Sequence, residues 1–247
     1  MKRIALIADT HGNYLAFDAV LADLQYHSVD MVVCLGDMVP GPFPVEMVER
    51  LRKLPWPQVM GDAEANMLLS EEDAREKIER LPGPPKFNVW AWSKLSSGDR
   101  SFLEQFQQTV EIELEGGRRL LCFHGSPHAL DTWLYPETPE EEFRRELAPY
   151  QSHVLTGGHT HRQQLRRLGK TIFFDPGSAG LAYRKYLPEE HFHFDPWAEY
   201  AILTSDGRAL SIDFRHVPFN VEALIQSLST SDMPGVESLL IRFQEQE

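Results

Sequence analysis

Ile4-Ala5-Leu6-Ile7-Ala8-Asp9-Thr10-His11-Gly12-Asn13 is the stretch from which the fold can be read. A short apolar run, too brief for an ordinary helix, gives way at Asp9 to a polar loop with a histidine two positions later. Gly12-Asn13 supplies turn chemistry, and Asn13 suits the N-cap of a helix whose apolar positions fall at Leu15, Ala19, Val20 and Leu24. Strand, loop and helix in that order make the repeating unit of an α/β fold, whose ligands lie beyond the carboxyl ends of the strands. Asp9 and His11 stand at such an end. A carboxylate beside an imidazole is a potential pair of metal ligands, but Asp-x-His alone is a common pattern.

The later loops repeat the theme. Met31 to Leu35 runs into Gly36-Asp37, and a third β-like run at Gln58 to Met60 ends in Gly61-Asp62-Ala63-Glu64. Three such endings in strand–helix alternation predict a parallel sheet with its carboxylates gathered at one edge. Val110 to Leu114 and Arg118 to Phe123 read as a hairpin around Gly116-Gly117, followed directly by His124-Gly125-Ser126-Pro127-His128. His153 to Thr156 leads into Gly157-Gly158-His159-Thr160-His161. Gln163 to Leu168 pairs with Thr171 to Phe174, before Asp175-Pro176-Gly177-Ser178, and Tyr200 to Thr204 pairs with Ala209 to His216. Helices are expected at Val45 to Leu54, over most of 63–109 with a break at Leu81-Pro82-Gly83-Pro84-Pro85, at Pro139 to Leu147, and as a pair within 221–244. Asn88, Trp90 and Trp92 read as core or rim positions of that helical stretch.

With 247 residues and no repeat or linker, a single domain over 1–247 is expected, with a core at 1–216 and a helical segment at 217–247. That last segment either completes the core or pairs subunits. A net charge of −13 argues against non-specific nucleic-acid binding and against anionic membranes, both of which need a basic face. Cys34 and Cys122 lie inside apolar runs and read as buried, reduced thiols. The first apolar run is too short for a signal peptide or a membrane span, so a cytoplasmic protein is expected.

Asp9, His11, Asp37, Asp62, His124, His159 and His161 all sit in loops behind β-like runs. Carboxylate oxygens with imidazole nitrogens suit manganese, iron or zinc, and the lack of clustered cysteines argues against a structural zinc or iron–sulfur site. The set is too large for one tetrahedral ion and is suited to two divalent ions sharing a carboxylate.

Asp9-x-His11, Gly36-Asp37, Gly61-Asp62-x-Glu64, His124-Gly125 and Gly158-His159-Thr160-His161, in this order, resemble the calcineurin-like metallophosphoesterase signature. Gly41-Pro42-x-Pro44, His124-Gly125-Ser126-Pro127 and Asp175-Pro176-Gly177-Ser178 further resemble a bacterial subgroup of small phosphodiesterases and phosphatases. The resemblance implies an α/β four-layer sandwich, two mixed β-sheets packed face to face and flanked by helices. It implies that Asp9, His11 and His161 hold one ion, that Asp37 bridges, and that Asp62, His124 and His159 hold the other. It also implies hydrolysis of a small phosphorylated substrate by a metal-bridging hydroxide.

The chain departs from that signature where the family usually has Gly-Asn-His. Asp62 replaces the asparagine and lowers the formal charge of a two-ion centre by one unit, which weakens its hold on phosphate. Ala63 replaces a histidine thought to protonate the leaving group, a loss of about 10²–10⁴-fold for a poor leaving group. Two remedies are open: His128 as general acid, or a diester or anhydride substrate whose leaving group needs little help. Phosphodiester or nucleotide-type substrates are therefore expected, with a metal-binding scaffold or sensor of reduced or lost catalysis as the alternative. Asn13 and Arg184 are candidate substrate contacts, against helix capping for the first and simple solvation for the second; Lys185 and Asn66 stand as weaker ones. His191, His193 and Asp195 alternate as a minor second metal site would, but no further ligand loop accompanies them.

Overall fold

Alternate side chains of the opening strand enter two different cores, so its apolar run shows no polar face. In this computed structural model, which describes residues 1–69, 85–183 and 193–244, β1 (Lys2–Ile7) lies at the centre of a four-stranded sheet. β2 (Met31–Cys34) pairs parallel with it, Leu6 opposite Val33. The second sheet contains β3 (Val110–Glu113), β4 (Arg119–Cys122), β5 (Val154–Thr156), β6 (Gln164–Leu168) and β7 (Thr171–Asp175) in the order β3-β4-β5-β7-β6. Its middle three strands run parallel and its two edges antiparallel. The chain then returns to the first sheet, where β8 (Trp197–Ser205) pairs antiparallel with β1 and with β9 (Leu210–Pro218), giving β2-β1-β8-β9.

Ile4, Leu6 and Ala8 face inward with Val33, Leu35, Ala201 and Leu203, and meet Ile112, Leu120, Cys122, Val154 and Phe174 of the second sheet. Ala5 and Ile7 face outward with Cys34, Tyr200 and Ile202. Five helices supply residues to that outer core: α1 (Tyr14–Leu24), α2 (Pro44–Leu51), α3 (Asp62–Met67), α4 (Pro85–Lys94) and α5 (Ser97–Leu103). In α2 a proline at the first turn starts the helix, and Met47, Val48 and Leu51 at helical spacing form its buried stripe. On the far side, Leu121, Phe123, Leu155 and Phe173 pack against Phe143 and Leu147 of α6 (Glu140–Leu147). Helix, sheet, sheet and helix make four layers, the architecture that the motif resemblance implied.

α7 (Val221–Ser229) and α8 (Val236–Gln244) bury Leu224, Leu228, Val236 and Phe243 against Leu15, Phe43, Trp90 and Phe219, so the terminal helices extend the core. Trp92 is likewise half-buried against the outer core, and Asn88 lies in α4. No helix among the described residues is long and apolar enough to cross a membrane.

Two local expectations need correction. The sheet read as parallel from the three loop endings is mixed, as the motif resemblance implied, because β8 and β9 join it from nearly 200 residues away in sequence, a pairing with no local signal (β1's Ile4 meets Leu203). The run at Gln58 to Met60 forms only isolated bridges, Cys34 with Gln58 and Val59 with Gln107. Pro55 and Pro57 just before it have no N–H to offer a ladder, although the carbonyl of Pro57 still accepts from the Cys34 amide at 3.0 Å. The break expected at Leu81-Pro82-Gly83-Pro84 lies outside the described residues.

Candidate metal centre

Beyond the ends of β1 and β2 the backbones remain paired: Asp9 N donates to Gly36 O at 3.0 Å, and His11 N donates to Asp37 O at 2.9 Å. There the chain turns abruptly. Asp9, His11, Asp37, His159 and His161 all have φ between 45° and 72°, and they are the only non-glycine residues at positive φ among the described residues. The left-handed region costs an L-residue roughly 1–3 kcal/mol, a strain that persists only where the surroundings enforce it and that gathers at functional sites. Here all five strained positions are candidate ligands.

The turns bring the seven donors into two adjoining groups. In one, Asp9, His11 and His161 converge. His11 Nε2 lies 2.9 Å from His161 Nε2, and His161 Nε2 lies 3.5 Å from Asp9 Oδ1. In the other, Asp37, Asp62, His124 and His159 converge. His124 Nε2 is 3.2 Å from Asp62 Oδ1, and His159 Nδ1 is 3.1 Å from the same oxygen. Asp37 Oδ2 stands between the groups, 3.6 Å from His11 Nε2 and 3.5 Å from His124 Nε2.

Three buried residues hold these loops. Glu64 has no exposed surface, and each of its oxygens accepts two amide N–H groups: Oε1 from Met38 and Val39, Oε2 from Asp37 and Gly61. Burial, with Asp37's charge, pushes its pKa up to about 8, yet only a carboxylate can accept four donors, so the cradle favours the anion. Asp175 accepts from the Thr160 hydroxyl at 2.7 Å and from Gly177 N at 2.9 Å, which ties down the loop between His159 and His161. Ser178 Oγ donates to Asp9 O at 2.6 Å. Glycine is required where backbones approach most closely: a Cβ on Gly61 would collide with Asp37 and Glu64, and one on Gly158 would collide with Asp9.

The two groups differ electrically. Burial pushes the pKa of Asp9 well up and those of His11 and His161 down, so this half favours neutral imidazoles, the form that binds metal. In the other half burial opposes charge on both His124 and Asp62, but their mutual pairing, with Asp37 and His159, prevails. His124 is raised well above and Asp62 held below its ordinary value. An imidazolium between carboxylates marks a place that favours positive charge. The tautomers fit the same purpose: His124 Nδ1 faces Leu35 O at 2.8 Å and His161 Nδ1 faces Leu181 O at 3.2 Å, leaving both Nε2 atoms to the cluster. Asp9 Oδ1, the oxygen that faces His161, is buried without a hydrogen-bond partner among the described residues. An orphaned carboxylate oxygen is costly unless a cation takes it up, so the residues fit a divalent metal centre.

The other candidates fare differently. His128 lies in neither group; its Nε2 is 3.1 Å from Glu146 Oε2, and its ring stacks on Tyr150. Asn13 is 1% exposed, and both ends of its amide are engaged, Oδ1 capping Ala16 N and Nδ2 donating to Gly180 O at 3.0 Å. Asn66 lies in α3, and His193 and Asp195 belong to no ligand group among the described residues. Arg184, Lys185 and His191 lie outside the described residues. Sequence reading missed Trp133, whose ring centroid is 3.8 Å from that of His159. The alternation Trp133-Leu134-Tyr135 was its available signal.

Residues 1–195 match the model of the calcineurin-like phosphoesterase superfamily domain. Over 162 residues the chain is 26% identical to the uncharacterized protein MJ0912 of Methanocaldococcus jannaschii, a match covering 64% of this chain and 62% of that relative's length. The fold is similar to a metallophosphoesterase from Sphaerobacter thermophilus, with TM-score 0.74, 24% identity and 98% of both chains covered. It is also similar to the hypothetical protein PH1004 from Pyrococcus horikoshii OT3, with TM-score 0.77, 20% identity, and 97% of this chain and 98% of that one covered.

Proposed function

The chain belongs to the calcineurin-like phosphoesterase superfamily, and on that premise we propose that it is a metal-dependent phosphoesterase acting on phosphodiester or nucleotide-type substrates. The observation that carries this reading is the position of Asp37, one carboxylate oxygen of which lies between His11 and His124 and so joins the two donor groups. Asp9, His11 and His161 would hold one divalent ion, Asp62, His124 and His159 a second, and Asp37 would serve both; manganese, iron and zinc all suit such donors. Ions bound there supply an activated water and neutralise the charge that builds on phosphorus in an in-line displacement.

The chain's own residues set the preference. Ala63 is buried and its N–H donates to Asp37 Oδ1 at 2.9 Å, so this position orients a ligand but offers no proton to a leaving group. His128 is paired with Glu146 against α6. Substrates with stable leaving groups are accordingly favoured over simple alkyl monoesters. Manganese-loaded protein assayed on bis-p-nitrophenyl phosphate and on cyclic and dinucleotide phosphates tests this; no hydrolysis of any of them would refute it. Ala63 also favours a second reading, a metal-binding scaffold without turnover, for which the same assay would find tightly bound metal and no product.

A further inference from the structure

Beside the metal centre runs a band of aromatic side chains to which the reading above gives no role. Trp133 lies with its ring centroid 3.8 Å from that of His159 and at 36° to it, yet remains 50% exposed, one of few large apolar side chains left open among the described residues. Tyr135 stacks nearly parallel to Trp133, with centroids 5.3 Å apart. Tyr135 in turn shares a hydrogen bond with Tyr183, whose ring is 6.3 Å from that of His161. The band thus follows the His159–His161 loop from one donor group to the other.

The segment that carries it is anchored from behind. Leu134 is buried among Phe123, Phe143 and Phe173, while Trp133 and Tyr135 on either side of it stack on each other outside that core. Gln164 Nε2 donates to Leu134 O at 2.5 Å, and Arg166 donates to the carbonyls of Pro136 and Thr138 at 2.7 Å each. Arg162, next in sequence to His161, is held by both oxygens of Glu137 at 2.7 and 2.8 Å. An exposed tryptophan fixed this firmly costs little further entropy on binding a flat ring. Shielding His159 alone does not require the half of the indole that remains in solvent.

We infer that Trp133, with Tyr135 and Tyr183 beside it, is the platform for the base of a nucleotide-type substrate whose phosphorus sits at the metal centre. This rests on the phosphoesterase reading and adds to it a residue that selects substrates. Aromatic stacking on a base strengthens binding by about 5–150-fold.

Calorimetric titration of the manganese-loaded protein with AMP and with ribose 5-phosphate tests it without turnover. The parent protein is expected to bind AMP more tightly than ribose 5-phosphate by a factor in that range. Trp133→Ala is expected to abolish most of this difference, and Trp133→Phe to keep most of it, since a phenyl ring still stacks. Equal affinity of the parent for both ligands, or a preference that survives Trp133→Ala, would overturn the platform. If ribose 5-phosphate binds while AMP gains nothing, the platform alone fails. If neither ligand binds at any metal loading, both the platform and the phosphoesterase reading fail.

Discussion

His11 Nε2 and His161 Nε2, 150 residues apart in sequence, face each other at 2.9 Å. The Leu181 carbonyl 3.2 Å from His161 Nδ1 fixes a proton there and leaves a lone pair directed toward His11. These two imidazoles, with Asp9, would together hold a divalent ion.

Metal should therefore stabilise the folded chain more than the unfolded one. Manganese at a hundredfold excess over its Kd is expected to raise the unfolding free energy by about 2.7 kcal/mol, and EDTA to reverse it. His161→Ala should reduce the gain. Thermal melts with and without metal measure both, and a melting temperature indifferent to manganese and EDTA would count against the centre.

Glu64 should be as intolerant of change as any ligand. Glu64→Gln replaces one oxygen with an amide that faces two N–H donors instead of accepting from them. A loss of about 3 kcal/mol is expected in urea unfolding, with weaker manganese binding, because the Asp37 turn loses its support. A change below about 0.5 kcal/mol would show that the cradle is dispensable.

Restoring an imidazole at position 63 tests the account of substrate preference. Ala63→His is expected to raise turnover of alkyl phosphate monoesters by at least about tenfold, with a smaller effect on p-nitrophenyl diesters, whose leaving group needs no proton. Assays on the two substrate classes give the ratio. An unchanged ratio would place the missing proton donor elsewhere.

Away from the centre, Asp23 links α1 to the first sheet by accepting from Tyr200 Oη at 2.6 Å and from Arg215 at 3.1 and 3.2 Å. Burial opposes its charge, but these donors prevail and hold its pKa below the ordinary carboxylate value. A carboxyl whose folded pKa is depressed adds stability that is fully present above its unfolded pKa of about 3.9 and is lost as pH falls toward the folded value. Asp23→Asn should cost about 1–2 kcal/mol at pH 7, and the difference from the parent should shrink below about pH 4. Urea unfolding across that range would show it; a constant difference would mean that Asp23 acts by packing alone.

Much of this architecture is legible in short apolar runs that end in polar loops. The opening run could be read as a strand because it is too short and too uniformly apolar for an exposed helix, and both its faces are indeed covered. The partners of that strand could not be read, since β8 reaches it through contacts that leave no local trace. Prolines 55 and 57 were visible in the sequence, but the fact that they reduce the third run to bridges depends on what lies beside it. At the centre, residue type and position singled out the donors, whereas their division into groups depends on the left-handed turns at Asp9, His11, Asp37, His159 and His161. Glu64 was legible as part of a motif, but its four amide donors come from two separate loops. Trp133 lies 26 residues before the histidine it covers, too far for any spacing rule to join them.

The central claim is that Asp37 joins two ion sites into one centre, and metal counting tests it most directly. After manganese loading and dialysis, elemental analysis of the parent should find about two ions per chain. Asp37→Ala should fall well below one, because both groups lose the oxygen they share. A parent that retains no more than one ion, or an Asp37→Ala variant that still retains two, would contradict the account.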